Sequence, residues 1–296
     1  MDDTNGMLDA VIEHRESMEP IATDVVADVK HLPGVRAIVF DVYGTLVVSG
    51  SGDVGSADEK DTGQMMGEAF AAVGWFPPVL EVPEYGKRLR VAIEQSNESR
   101  RGADCPKPEV DIVDAWRLML SDVGLVDFAN DTRRVVQLAC EYEARANPTW
   151  PMPGAVDLLQ RLTQSKRPLG IVSNAQVFTV PLVEDLCGES LVESGFDLDL
   201  CVFSNRYRQA KPGPRLFDVL RDGLRRRGIS PHEAVYVGND MLNDVWAASQ
   251  AGLQTAWFAG DRRSCRDRQD DPRCRSLRPD VVLTDLMQLL NCLAIE

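Results

Sequence analysis

Val35–Leu46 reads VRAIVFDVYGTL, and the fold follows from how this stretch is interpreted. A compact apolar run with β-branched residues, VRAIVF (Val35–Phe40), follows Pro33-Gly34 and breaks into a polar turn at Asp41. A short apolar run ending in a turn is the signature of a fully buried parallel strand. Outward along the chain the pattern repeats as LGIV (Leu169–Val172), LCVF (Leu200–Phe203), AVYV (Ala234–Val237), TAWF (Thr255–Phe258) and a short VVL (Val281–Leu283). Helical periodicity lies between these runs at Ala155–Gln164, Pro181–Cys187, Arg215–Arg227 and Asp244–Ala251. Alternation at these distances predicts βαβ units.

The expected fold class is therefore α/β: a Rossmann-like open parallel sheet with helices on both faces, with too few strand–helix pairs to close a barrel. One gap breaks the rhythm. Residues 51–65 are rich in Gly, Ser and Asp and read as a mobile loop. Helical patterns then follow at Met65–Val73, Tyr85–Arg100, Val110–Val123 and Asn130–Ala144, with no core strand among them. The expected organisation is an N-terminal helical extension (1–30), a core (31–50 and 148–296) and an inserted all-helical cap domain (51–147).

Composition narrows the function classes. The 296 residues carry 46 acids against 32 bases, a formal charge of −14. A protein that neutralises a phosphate backbone needs the opposite balance, so nucleic acid is not an expected partner. Seven scattered cysteines, Cys105, Cys140, Cys187, Cys201, Cys265, Cys274 and Cys292, form no CxxC pair. That pattern argues against a disulfide framework or a structural zinc site and for reduced thiols. The acidic start MDDTNGMLDA lacks a basic, apolar leader, and no run approaches the roughly 18 apolar residues of a membrane span. The expectation is a cytoplasmic protein with no membrane partner; oligomeric state is not legible.

Ligands of open parallel sheets bind beyond the carboxyl ends of the strands, so the residues just after each run are the informative ones. These are Asp41, Tyr43, Gly44 and Thr45; Ser173 and Asn174; Lys211 before Pro212; and Gly238, Asn239, Asp240, Asn243 and Asp244. Three acids, a hydroxyl and a lysine on one edge can surround an anionic substrate, a divalent cation and a carboxylate nucleophile. In this order and strand context, FDVYGTL, VSN, the Lys of AKPGPRLF and VGNDMLNDVWAASQAG resemble the four motifs of the haloacid dehalogenase-like hydrolase superfamily, over roughly residues 31–296.

The resemblance implies a role for each residue. Asp41 would be the nucleophile, forming a covalent aspartyl intermediate. Ser173, Thr45 and the backbone amides near Gly44 and Asn174 would hold the oxygens of the transferred group, and Lys211 would neutralise charge. Asp41, the carbonyl of Tyr43, Asp240 and Asp244 would hold Mg²⁺. The implied activity is a magnesium-dependent phosphatase of a small phosphate ester.

Two departures keep other readings open. Tyr43 stands where phosphatases of the superfamily carry a second Asp that protonates the leaving alcohol, and a phenol is a poorer acid at neutral pH. Tyrosine at this position matches the metal-independent 2-haloacid dehalogenases. Asn239 stands where the first acid of the last motif is usual, which makes Asp240 the expected substitute ligand. Against dehalogenation, no Arg lies between Asp41 and Arg88, and two acids occupy the last loop. A non-catalytic binding protein on the same fold is the third reading. Asp53 or Asp58 is a candidate replacement acid without any spacing rule behind it. The arginines at 262–278, interleaved with acids, read mainly as a solvated loop and less readily as an anion-binding arm at the site rim. Trp75, Trp116 and Trp150 read as packing residues.

Overall fold

A computed structural model describes residues 12, 15, 17–50, 62–75 and 82–295. The strands are β1 (Ala37–Phe40), β2 (Val47–Ser49), β3 (Thr149–Pro151), β4 (Leu169–Ser173), β5 (Phe196–Phe203), β6 (Ala234–Gly238), β7 (Gln254–Phe258) and β8 (Val281–Leu283). Six of them form one parallel sheet in the order β5-β4-β1-β6-β7-β8. The chain steps outward from β1 to β4 and β5, then returns past β1 to build β6, β7 and β8 on its other side. The switch point therefore falls at β1, where the crevice of a doubly wound sheet opens.

Burial on both faces follows from the period of two in β1. Ala37 and Val39 pack with Leu216, Phe217, Leu220 and Leu224 of the helix Arg215–Arg226. Ile38 and Phe40 share the opposite core with residues such as Leu158, Leu162 and Leu182. Helices covering both faces remove every β1 side chain from water, which is why its sequence is a continuous apolar run rather than an alternating one.

Between β2 and β3 the described chain is helical: Thr62–Ala72, Val82–Arg100, Ile112–Asp122, Val126–Asn130 and Thr132–Ala146. Their interior is aromatic. Phe70 meets Trp75 and Tyr85 edge to face at 4.7 and 5.1 Å between centroids, and Trp116 is fully buried beside them. The two crossings between this insertion and the sheet pair with each other as the antiparallel ribbon β2·β3, with Val48 opposite Trp150. Asn147 reinforces the crossing: its Oδ1 accepts from Ser49 Oγ (2.7 Å) and its Nδ2 donates to Glu143 (3.1 Å). A second tether joins the insertion to the chain that follows β4 and β5. There Pro108 bridges Gln209, Ala210 donates to the Lys107 carbonyl, and Gln176 bonds the backbone of Ile112 and Val110.

Two sequence expectations change here. Residues 17–30, expected to be helical, are not; they run along the β8 edge, where Asp28 and Val282 exchange two backbone bonds (2.9 and 3.0 Å). An unpaired sheet edge offers a row of donors and acceptors, and pairing with it outweighs a weak apolar stripe containing Pro20. The arginine-rich stretch is also not simply a solvated loop, because part of it packs against the site. Residues 51–61, with Asp53 and Asp58, lie outside the described residues. Among the described residues no helix is long and apolar enough to cross a membrane.

Candidate active site

The switch point brings the strand-end residues together. Asp41 directly follows β1, Ser173 ends β4, and Gly238 ends β6, the neighbour of β1 on its other side. Asp41 is nearly buried, with Oδ1 accepting from Ser173 Oγ (2.7 Å) and from Lys211 Nζ (2.9 Å). Lys211 is positioned by its own backbone, whose amide donates to Asn174 Oδ1 (2.8 Å). Its ammonium also donates to Asp244 Oδ1 (2.6 Å) and Tyr236 Oη (3.0 Å). Burial pulls this ammonium down, but Asp244 and Asp41 beside it win, and its pKa lies above the ordinary lysine value. Lysine at neutral pH is thus a fixed cation shared between two carboxylates.

Asp244 is fully buried and pushed above the ordinary carboxylate range by desolvation, against the pull of Lys211 and with Asp41 and Asp240 adding to the rise. Its Oδ2 accepts from the Asp240 amide (2.8 Å). Gly238 lets this side chain sit against the strand end, because a Cβ there would fall 2.4 Å from Asp244 Cγ. Gly44 makes the second close approach. It sits at φ +76°, and a Cβ would lie 2.4 Å from Ser264 Cβ and 2.8 Å from Asn239 Nδ2.

The other expected residues are placed as follows. Thr45 Oγ1 donates to Asn239 Oδ1 (3.2 Å), and Asn239 Nδ2 donates to the Ser264 carbonyl (2.6 Å). Tyr43 turns its phenol to Thr179 Oγ1 (3.0 Å), and burial, with the nearby Glu143 charge adding to it, drives its pKa further above 10. That shift makes it a weaker proton donor still.

Asp240 is saturated. Its carboxylate accepts from the amides of Leu242 (2.8 Å) and Asn243 (3.1 Å), capping the helical turn Met241–Trp246. It also takes Asn243 Nδ2 (3.1 Å) and a two-pronged contact from Arg268, whose Nη2 reaches Oδ2 at 2.5 Å. Among the described residues no three His, Cys, Asp or Glu side chains gather to hold a cation. Asp240 faces Arg268, and Lys211 stands between Asp41 and Asp244. As arranged, these residues do not fit a three-carboxylate cation site.

The cleft is lined by Asp41, Tyr43, Asn174, Lys211 and Asp244 together with Asn239, Asp240, Asn243, Ser264 and Arg266. Ser264, Arg266 and Arg268 are the residues that reading strand ends alone misses. Their signal was the run of arginines, which carries no spacing rule to tie it to the last motif.

A doubly wound parallel sheet with an aspartate, a serine and a buried lysine meeting at its switch point defines an α/β enzyme scaffold of the carboxylate-centred kind. The family is shown by the sequence itself: residues 35–252 match the model of the haloacid dehalogenase-like hydrolases, and the chain belongs to that family of hydrolases. It is 30% identical over 86 residues to a glyceraldehyde 3-phosphate phosphatase of Pyrococcus furiosus, covering 29% of this chain and 32% of that protein. It is 35% identical over 109 residues to a phosphoserine phosphatase of Thermus thermophilus, covering 36% and 39% respectively. The matches thus span well under half the length of these curated relatives. In fold, the chain is similar to a 2-haloacid dehalogenase of Pseudomonas syringae pv. Tomato, with a TM-score of 0.54 at 20% identity over 88% of this chain and 98% of that one.

Proposed function

We propose that the protein hydrolyses a small phosphate monoester through Asp41. The observation that carries this reading is the double contact on Asp41 Oδ1, from Ser173 and from Lys211. Both bonds fall on one carboxylate oxygen, which leaves the other, Oδ2, as the atom to attack. In the first step that oxygen bonds to phosphorus and the bond from phosphorus to the leaving oxygen breaks. In the second, water attacks the phosphorus of the aspartyl phosphate, inorganic phosphate leaves and the carboxylate is restored. Lys211 holds a positive charge beside the reacting oxygens throughout, because both of its carboxylate neighbours keep it protonated.

The geometry gives the leaving group no tuned acid, since the phenol of Tyr43 is bonded to Thr179. Good leaving groups such as aryl or acyl phosphates are therefore preferred. The names of the curated relatives support a phosphate ester as substrate class. The helical cap expected at 51–147, tied to the core through β2·β3 and through Gln176 and Ala210, would serve as a lid, and Mg²⁺ is the cofactor the family resemblance leads one to expect. No step is assigned to the metal, because Asp240 is committed to Arg268.

That same pair favours a second reading, dehalogenation of a small 2-haloacid, in which Asp41 attacks carbon, halide leaves and water hydrolyses the ester. A carboxylate neutralised by arginine suits a site that uses no cation. The deciding experiment follows p-nitrophenyl phosphate hydrolysis with Mg²⁺, with EDTA and in Asp41→Asn, with chloride release from 2-chloropropionate in parallel. Phosphate release that disappears in Asp41→Asn is the expected result. Chloride release without phosphate release would replace the first reading by the second, and silence with both substrates would leave a binding protein on a hydrolase fold.

A further inference from the structure

Part of the arginine-rich stretch forms a wall of the cleft. Residue 266 is held from both sides by the loop after β6: its amide donates to the Asn239 carbonyl (3.0 Å), and its carbonyl accepts from the Met241 amide (2.8 Å). Two residues later Arg268 grips Asp240, and two residues earlier Ser264 fills the space left open by Gly44. The backbone at 264–268 is therefore fixed against the loop that bears Asn239, Asp240 and Asp244. Arg266 lines the cleft together with Asp41 and Lys211. Its Nη1 donates to the carbonyls of Arg263 (2.7 Å) and Cys265 (3.1 Å), so the guanidinium is oriented by neutral oxygens.

Charge separates Arg266 from its neighbours. Lys211 is shared between Asp41 and Asp244, and Arg268 is engaged by Asp240. Among the described residues lining the cleft, Arg266 is the cation with no carboxylate in ion-pair contact. A phosphoryl group brought beside Asp41 adds negative charge to a cleft that already contains three carboxylates. We propose that Arg266 is the specificity-determining cation of this site, receiving the phosphoryl oxygens of the substrate; the inference rests on the phosphohydrolase reading. Guanidinium presents a planar pair of donors that matches phosphate oxygens. Because two carbonyls already fix one end of it, little freedom remains to be lost on binding.

The test titrates inorganic phosphate calorimetrically into wild type, Arg266→Gln, Arg266→Lys and Arg262→Gln, the last being an exposed arginine paired with Asp24. Arg266→Gln is expected to weaken phosphate binding about ten- to hundredfold, the worth of a charge-assisted contact, with Arg266→Lys in between and Arg262→Gln within about twofold of wild type. The KM for p-nitrophenyl phosphate should rise in the same order. Unchanged phosphate binding in Arg266→Gln overturns the proposal. So does a loss confined to O-phosphoserine while O-phosphoethanolamine binds as before, because the residue would then read a carboxylate of the leaving group. If Arg266→Gln does not fold, Arg266→Lys decides alone, and wild-type affinity in it overturns the proposal. Should wild type turn over no phosphate ester, the functional reading fails, and the phosphate titration still judges Arg266.

Discussion

Lys211→Met isolates the charge at the centre of the site, because methionine keeps an unbranched chain out to Cε, with sulfur in place of Cδ, and lacks the ammonium. That ammonium is bonded to Asp244 at 2.6 Å and Asp41 at 2.9 Å, and the lysine and Asp244 side chains are 2% and 1% exposed. Breaking a buried pair by removing one partner costs about 3–5 kcal/mol. Asp41 keeps its bond from Ser173 and Asp244 keeps the Asp240 amide, so the lower end, about 3 kcal/mol at pH 8, is expected. The loss should also depend on pH. Burial already raises the Asp244 pKa and Lys211 opposes the rise, so removing the lysine raises it further. A carboxyl group whose folded-state pKa lies above its unfolded value loses stability as pH climbs through that folded value and regains it on protonation. The variant should therefore fall short of wild type by about 3 kcal/mol at pH 8 and by about 1 kcal/mol or less at pH 5. Urea unfolding in EDTA, followed by tryptophan fluorescence at both pH values, measures this directly. Adding Asp244→Asn to Lys211→Met should recover most of the deficit at pH 8. A deficit equal at both pH values, or one deepened by Asp244→Asn, would refute the claim that uncompensated buried charge is what the lysine prevents.

Gly44→Ala forces a side chain into a left-handed backbone 2.4 Å from Ser264 Cβ and should destabilise by about 2–4 kcal/mol in urea unfolding. Ser264→Gly in the same chain should return the steric part, and strict additivity of the two changes would count against the contact. Tyr43→Phe should keep kcat for p-nitrophenyl phosphate within about threefold of wild type while losing about 1 kcal/mol of stability with the Thr179 bond. A fall of a hundredfold or more in kcat would instead make the phenol a participant.

Legibility in the sequence tracked how local the physics was. Each core strand was visible because burial on both faces leaves only apolar residues. LGIV and VVL, for example, were found at Leu169–Ser173 and Val281–Leu283. The ribbon β2·β3 was not, because its strands have three residues each and their pairing joins positions about a hundred apart, beyond any periodicity. The short helix Val126–Asn130 was missed for the same want of length. Residues 17–30 misled because an apolar stripe says nothing about an unpaired sheet edge elsewhere in the fold.

The site divides along the same line. Asp41, Ser173, Lys211 and Asp244 could be placed together because topology alone carries strand ends to one edge. Topology says where a side chain starts, not which partner it takes. Asp240 starts on the right loop, yet two helix amides, an asparagine and an arginine some thirty residues away satisfy its oxygens. Since a carboxylate so fully satisfied must give up several charge-assisted bonds before it can hold a cation, any metal dependence of this hydrolase will be governed as much by Arg268 as by the acids of the motif.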